Sequence, residues 1–254
     1  MGCAVFVVGP AGSGKTTLAG VLREHNAGLK RKVHLVNLDP AQALEELEFD
    51  FDIRNHIEIS EIMEEADFGP NGGLLAGLGA VAENLDVMEL PEEEDAYLIF
   101  DCPGQIELYV HDDSVKKIVE AVGQHHTVGM IYALDSTHAL DSARFLSGAL
   151  SATVAMAKFE VPHINVLTKC DLLDEEDVEE FVQGLEIENI CENLSSRSEQ
   201  EEKFNRSLAK IVENNGFLGF IPLDLKKEES VEGLAYQIDM CIQYYDSCNV
   251  EDDG

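Results

Sequence analysis

Basic side chains are scarce in this sequence: 17 Lys and Arg stand against 50 Asp and Glu in 254 residues, a formal net charge of −33. Such a field repels phosphate backbones and anionic lipid, so direct binding to nucleic acid or to a membrane surface is not expected. Long apolar runs are also missing. No stretch approaches the roughly 20 residues of a membrane span. The N-terminus has no basic flank of the kind a secretory signal carries, and the myristoylation pattern begun by Met1-Gly2-Cys3 fails at Phe6, where Ser or Thr is wanted. Cys3, Cys102, Cys170, Cys191, Cys241 and Cys248 form no CxxC pair and no metal-ligand spacing. That argues against a zinc site or a disulfide framework and for a reducing compartment, the cytoplasm. With 7 Pro and 20 Gly, there is no material for an extended linker.

What is present is 45% hydrophobic sequence, arranged as short β-branched runs at Ala4 to Val8, Val33 to Leu38, Ala96 to Phe100, Val128 to Leu134, His163 to Leu167 and Phe217 to Leu223. Each reads as a buried strand. Helical patterns separate them, around Lys15 to Asn26, Glu58 to Ala66, Gly73 to Leu85, Ser114 to Gly123, Ser142 to Phe159, Val178 to Gly184, Glu202 to Asn214 and Val231 to Tyr245. Continuous apolar strands alternating with helices predict an α/β domain of three layers, a mostly parallel sheet with helices on both faces, over residues 1–249. Residues 250–254 read as an acidic tail, and the acidic runs Glu92 to Asp95 and Asp174 to Glu180 as solvated faces. Asp86 to Asp95 and Glu192 to Glu201 read as loops, and the adjacent His125 and His126 as surface residues that do not converge on one ion.

The sharpest motif is Gly9-Pro10-Ala11-Gly12-Ser13-Gly14-Lys15-Thr16, which fits GxxxxGK[ST] and lies between a strand and an amphipathic helix. The glycines let backbone N–H groups turn inward at a helix N-terminus, an anion nest for the phosphates of a nucleoside triphosphate. Gly12, Ser13 and Gly14 form that nest. Lys15 reaches the β and γ phosphates, the Thr16 hydroxyl can ligate Mg²⁺, and Thr17 adds an α-phosphate contact.

Two carboxylates follow predicted strands and fall on the same rim: Asp39 in Asn37-Leu38-Asp39-Pro40, and Asp101 in Asp101-Cys102-Pro103-Gly104-Gln105. Mg²⁺ takes only one or two carboxylate contacts, so one Asp can serve the metal while the other orients the attacking water. Residue types alone do not assign the two roles. Thr168-Lys169-Cys170-Asp171 is similar to the guanine-reading NKxD element, in which the carboxylate accepts from the N1–H and N2–H₂ edge that adenine lacks. Thr168 stands where the usual Asn would donate and accept, so selectivity leans harder on Asp171, while the Lys169 stem can lie over the base. A helix N-cap at Asp171 is the plainer alternative.

Together with Gly69-Pro70-Asn71, these motifs resemble the GPN-loop GTPases over nearly the whole chain, with the insertion that carries the tripeptide around residues 50–90. Phe51-Asp52-Ile53-Arg54, Phe68 to Gly73, Phe100 to Leu108, Thr168 to Leu173 and Phe220-Ile221-Pro222 fit the pattern of the third eukaryotic paralogue, in which Thr at 168 also occurs. The resemblance implies a dimeric GTPase using GTP, GDP and Mg²⁺. In it, Asn71 from one subunit reaches the phosphate site of the other, and Gln105 and Asp101 place or activate the water near Asp39 and the metal. It also implies pairing with itself or another GPN paralogue, RNA polymerase II subunits as clients, and a cytoplasmic location with shuttling to the nucleus.

No Arg or second Lys accompanies the P-loop, which favours a partner-assisted mechanism, since an arginine finger contributes about 10³ to 10⁵ in rate in related enzymes. Two other readings use the same scaffold: an ATP-using enzyme, either a small kinase or a partitioning-type ATPase, and a non-hydrolysing interaction subunit.

Overall fold

The computed structural model describes residues 2–42, 47–57, 68–91, 93, 95–174, 176–178, 181, 187–194, 198–214 and 219–244. The predicted helix at Glu58 to Ala66, most of that at Val178 to Gly184, and the acidic tail lie outside them.

Seven strands form one sheet: β1 (Gly2–Val8), β2 (Lys32–Asn37), β3 (Phe51–Asp52), β4 (Ala96–Asp101), β5 (His126–Asp135), β6 (His163–Thr168) and β7 (Phe220–Pro222). Their order is β3-β2-β4-β1-β5-β6-β7, and every pairing is parallel. Among the described residues the α-helices are α1 (Lys15–Gly28), α2 (Pro70–Glu83), α3 (Glu107–Val110), α4 (Ser114–Val122), α5 (Ser142–Phe159), α6 (Ile187–Asn193), α7 (Glu199–Asn214) and α8 (Glu228–Cys241).

β1 is buried along its whole length, and its period of two divides the core. Ala4, Phe6 and Val8 join one apolar cluster with residues of α2, α4, α5 and α7, whereas Cys3, Val5 and Val7 join a second with residues of α1 and α8. Phe6 stacks on Phe100 of β4 at 4.1 Å between ring centroids. A helix layer on each face explains why the strands read as continuous apolar runs. It also sends the ends of β1, β2, β4, β5 and β6 to one edge of the sheet.

Several local expectations are corrected. β3 was not foreseen, because two residues on a sheet edge carry no periodicity. α3 and α6 also escaped notice, being only 4 and 7 residues long. α2 begins at Pro70 rather than Gly73, with extended Gly69 as its N-cap and Pro70 in its first turn, where a missing N–H costs nothing. His126 is buried, not on the surface, and it opens β5 beside Gly2, whose added Cβ would lie 2.6 Å from the imidazole Nδ1. His125 is exposed.

Candidate nucleotide site

The P-loop leaves β1 in a backbone that demands glycine. Gly9, Gly12 and Gly14 take φ of 140°, 77° and 82°, and a Cβ on Gly9 would lie 2.2 Å from the Ala133 carbonyl oxygen. Gly14 caps α1, whose first residues are Lys15, Thr16 and Thr17. Lys15 is buried, and its Nζ donates to the Pro10 carbonyl at 3.0 Å. Burial lowers its pKa from the usual lysine value, while the negative charges of Asp101 and Asp39 resist that shift.

Asp101 ends β4 directly beside this loop, because its strand is registered against both Val7 and Asn37. Its carboxylate is fully buried, and Oδ2 accepts from Thr16 Oγ1 at 2.6 Å. Burial raises its pKa to about 6, against the Thr16 hydrogen bond and the Lys15 charge, with Asp39 pushing the same way as burial. Oδ1 of Asp101 and Oγ of Ser13 are buried with no hydrogen-bond partner among the described residues.

Those orphaned atoms fit Mg²⁺ and phosphate. A Thr16 hydroxyl whose proton goes to Asp101 keeps its lone pairs for a metal, and Asp101 Oδ1 is free to accept from a metal-bound water. Asp39 is half-buried in the turn after β2, held by Asp39 N–H donating to Asn37 Oδ1 at 2.8 Å and by Ala41 N–H donating to its own Oδ1 at 2.9 Å. Among the described residues, no group of three or more His, Cys, Asp or Glu side chains could hold a metal alone. Mg²⁺ sites in nucleotide enzymes do not need one, since phosphates and water complete the shell.

Gly104 packs so tightly on the P-loop that an added Cβ would lie 2.6 Å from Ala11 N and Cα and 2.9 Å from Lys15 Nζ. Gln105 follows it, half-buried, in the loop before α3. Tyr109 anchors that loop by donating from its hydroxyl to the Pro103 carbonyl. Asn71 sits in the first turn of α2 with Pro70, after the N-cap Gly69, and all three are exposed.

At the end of β6, Thr168 is buried, and its hydroxyl donates to the Ser13 carbonyl at 2.6 Å, with Leu134 O at 3.1 Å. Its role is to brace the P-loop from behind. Lys169 takes a left-handed φ of 60°, and its Nζ reaches Gly12 O at 2.5 Å and Asp135 Oδ2 at 2.7 Å, while Ser136 Oγ donates to its carbonyl at 3.0 Å. A second lysine therefore does accompany the P-loop, contributed by a segment more than 150 residues away. Burial works to raise the Asp135 pKa, but the bonds from Lys169 and Thr137 hold it below the usual carboxylate value.

Asp171 lies inside the short turn Cys170–Leu172 and not at its N-cap, which is Lys169; the plain capping role does not apply. It lines a cavity of about 370 Å³ with Asp224, Lys226 and Pro222, and Lys226 Nζ lies 2.9 Å from its Oδ2. Sequence reasoning missed Asp135, Ser136 and Lys226. Asp135 ends a predicted strand as Asp101 does, the one signal that pointed to it; Lys226 carries none.

A protein-family model described as a conserved hypothetical ATP binding protein matches residues 7–244. The GPN-loop GTPase 3 of Dictyostelium discoideum is 42% identical over 94% of this chain and 86% of its own length. That of Saccharomyces cerevisiae is 37% identical over 94% and 92%. Among solved structures, a GTPase from Pyrococcus abyssi in its apo form superposes with a TM-score of 0.72 and 26% identity, covering 92% of this chain and 96% of that one. Similarity of this extent in both sequence and fold makes the chain a member of the GPN-loop GTPase family.

Proposed function

We propose that the chain binds GTP and hydrolyses it to GDP, with the β and γ phosphates in the nest formed by Gly12, Ser13, Gly14 and Lys15. The observation that carries this reading is the half-buried Thr16–Asp101 hydrogen bond with Asp101 Oδ1 left unpartnered beside Lys15. Thr16 would ligate Mg²⁺, with Asp101 and Asp39 in its outer shell; when bound, the ion neutralises charge developing on the phosphates. Lys15 gives up its bond to Pro10 O for the phosphates. The Gln105 carboxamide, close after Asp101 and Gly104, orients the attacking water. Asp171 reads the guanine edge, Lys169 lies along the base, and Thr17 contacts the α-phosphate.

The exposed Gly69-Pro70-Asn71 turn is consistent with a site completed by a second subunit, either a copy of this chain or another GPN paralogue. We further propose, as the family resemblance implies, a cytoplasmic protein that shuttles to the nucleus and assists assembly and import of RNA polymerase II. Calorimetry with GDP and ADP in Mg²⁺, beside phosphate release from GTP and ATP at several protein concentrations, tests these points. GDP should bind selectively, turnover should rise more than proportionally with concentration, and Gln105→Leu should stop turnover while sparing binding. Equal or better binding of ADP would favour an ATP-using enzyme, and unchanged turnover in Gln105→Leu would make Gln105 a turn residue only.

A further inference from the structure

Guanine and adenine differ most at position 6, where guanine presents a carbonyl oxygen that accepts and adenine an amino group that donates. Asp171, being acceptor-only, answers the N1 and N2 edge of guanine and cannot itself donate to that oxygen. Where the usual Asn would bring a side-chain amide stands Thr168, whose hydroxyl is committed to Ser13 O at 2.6 Å. Guanine O6 is itself a strong acceptor, and leaving it desolvated without a partner would erode selectivity.

Lys226 faces the same cavity from the opposite loop, 2.9 Å from Asp171 Oδ2. Its ammonium carries three donors and no acceptor, and Asp171 uses only one of them. Its backbone is fixed on both sides. Lys226 N–H donates to Asp224 Oδ1 at 2.9 Å, Asp224 N–H donates to Ser230 Oγ at 3.1 Å, and Cys170 N–H donates to Leu223 O at 3.1 Å. The loop bearing Lys226 and the turn bearing Asp171 are thus sewn together at the cavity wall.

We propose that Lys226 is a second guanine-specificity residue: its ammonium, steered by Asp171, donates to the O6 carbonyl of the base and repels the amino group that adenine carries there. The inference rests on the reading of this cavity as the base site. Lys226 is 71% exposed, so water and salt screen the contact, and its contribution to GDP binding is about fivefold, or ~1 kcal/mol.

The test is calorimetric titration of the wild type, Lys226→Met and Lys226→Arg with GDP, ADP and 6-thioguanosine diphosphate, which keeps the N1 and N2 donors but replaces O6 with a weak acceptor. Lys226→Met should weaken GDP about fivefold and 6-thioguanosine diphosphate by less than about twofold, whereas Lys226→Arg should retain most of the GDP affinity. Equal losses on both ligands would reduce Lys226 to a general positive charge, and tighter GDP binding in Lys226→Met would make it a competitor for Asp171; either overturns the proposal. No change in GDP binding, with the wild type still preferring GDP to ADP, overturns it alone. A wild type that binds ADP as well as GDP removes the base-site reading and the proposal with it.

Discussion

The phosphate end and the base end of the cleft are built from opposite materials. At the phosphate end Lys15, Ser13 and Asp101 are buried, and Ser13 Oγ and Asp101 Oδ1 are left unpartnered. At the base end Asp171 and Lys226 form an ion pair open to water. Buried polar groups in low dielectric interact strongly and are costly to disturb, whereas an exposed pair is screened and contributes little to folding. The first region is therefore one the protein can hardly alter, the second one it can tune.

The largest effect that would break this contrast concerns Lys15. Lys15→Ala should weaken GDP binding roughly 100-fold or more in a calorimetric titration, because a desolvated charge partner is lost. A loss no greater than that of Lys226→Met would mean that both ends are equally soft. Next comes pH. Asp101 has a folded-state pKa raised to about 6 by burial, so the folded chain holds a proton that the unfolded chain releases. The stability this lends is fully present below the ordinary carboxylate pKa of about 4 and is lost as pH rises through about 6. The nucleotide-free protein should melt a few degrees lower at pH 7 than at pH 5, and Asp101→Asn should flatten that difference. Mg²⁺-dependent GDP binding should run the other way, weakening as pH falls through about 6.

The smallest effects sharpen the comparison in folding alone. Gly104→Ala forces a Cβ against Ala11 backbone and should cost about 1–3 kcal/mol in denaturant unfolding, while Lys226→Met should change stability by less than about 1 kcal/mol. Similar costs for the two would erase the distinction.

The same contrast governs what could be read without coordinates. Lys15, Thr16 and the P-loop glycines were legible because a local backbone shape dictates their spacing, and Asp101 because a strand must end where a loop begins. The main strands were legible because burial on both faces writes an unbroken apolar run. Lys226 and Asp135 were not, since each acquires its meaning from a residue on another segment, Asp171 and Lys169. Thr168 was seen as a poor substitute for an amide, yet its hydroxyl holds Ser13 from behind, a tertiary contact that no local pattern encodes. His126 was misread as exposed because the space that buries it is made by Gly2, far away in sequence.

The two outermost strands of the sheet are also its shortest, Phe51–Asp52 at one margin and Phe220–Pro222 at the other, the latter closing on a residue with no N–H to give. Among the described residues each margin exposes almost no ladder on which a foreign strand could zip, a defence against runaway polymerisation. Among the described residues, the surface left for assembly is then that of helices and loops, where side chain meets side chain and partners can separate without tearing the sheet.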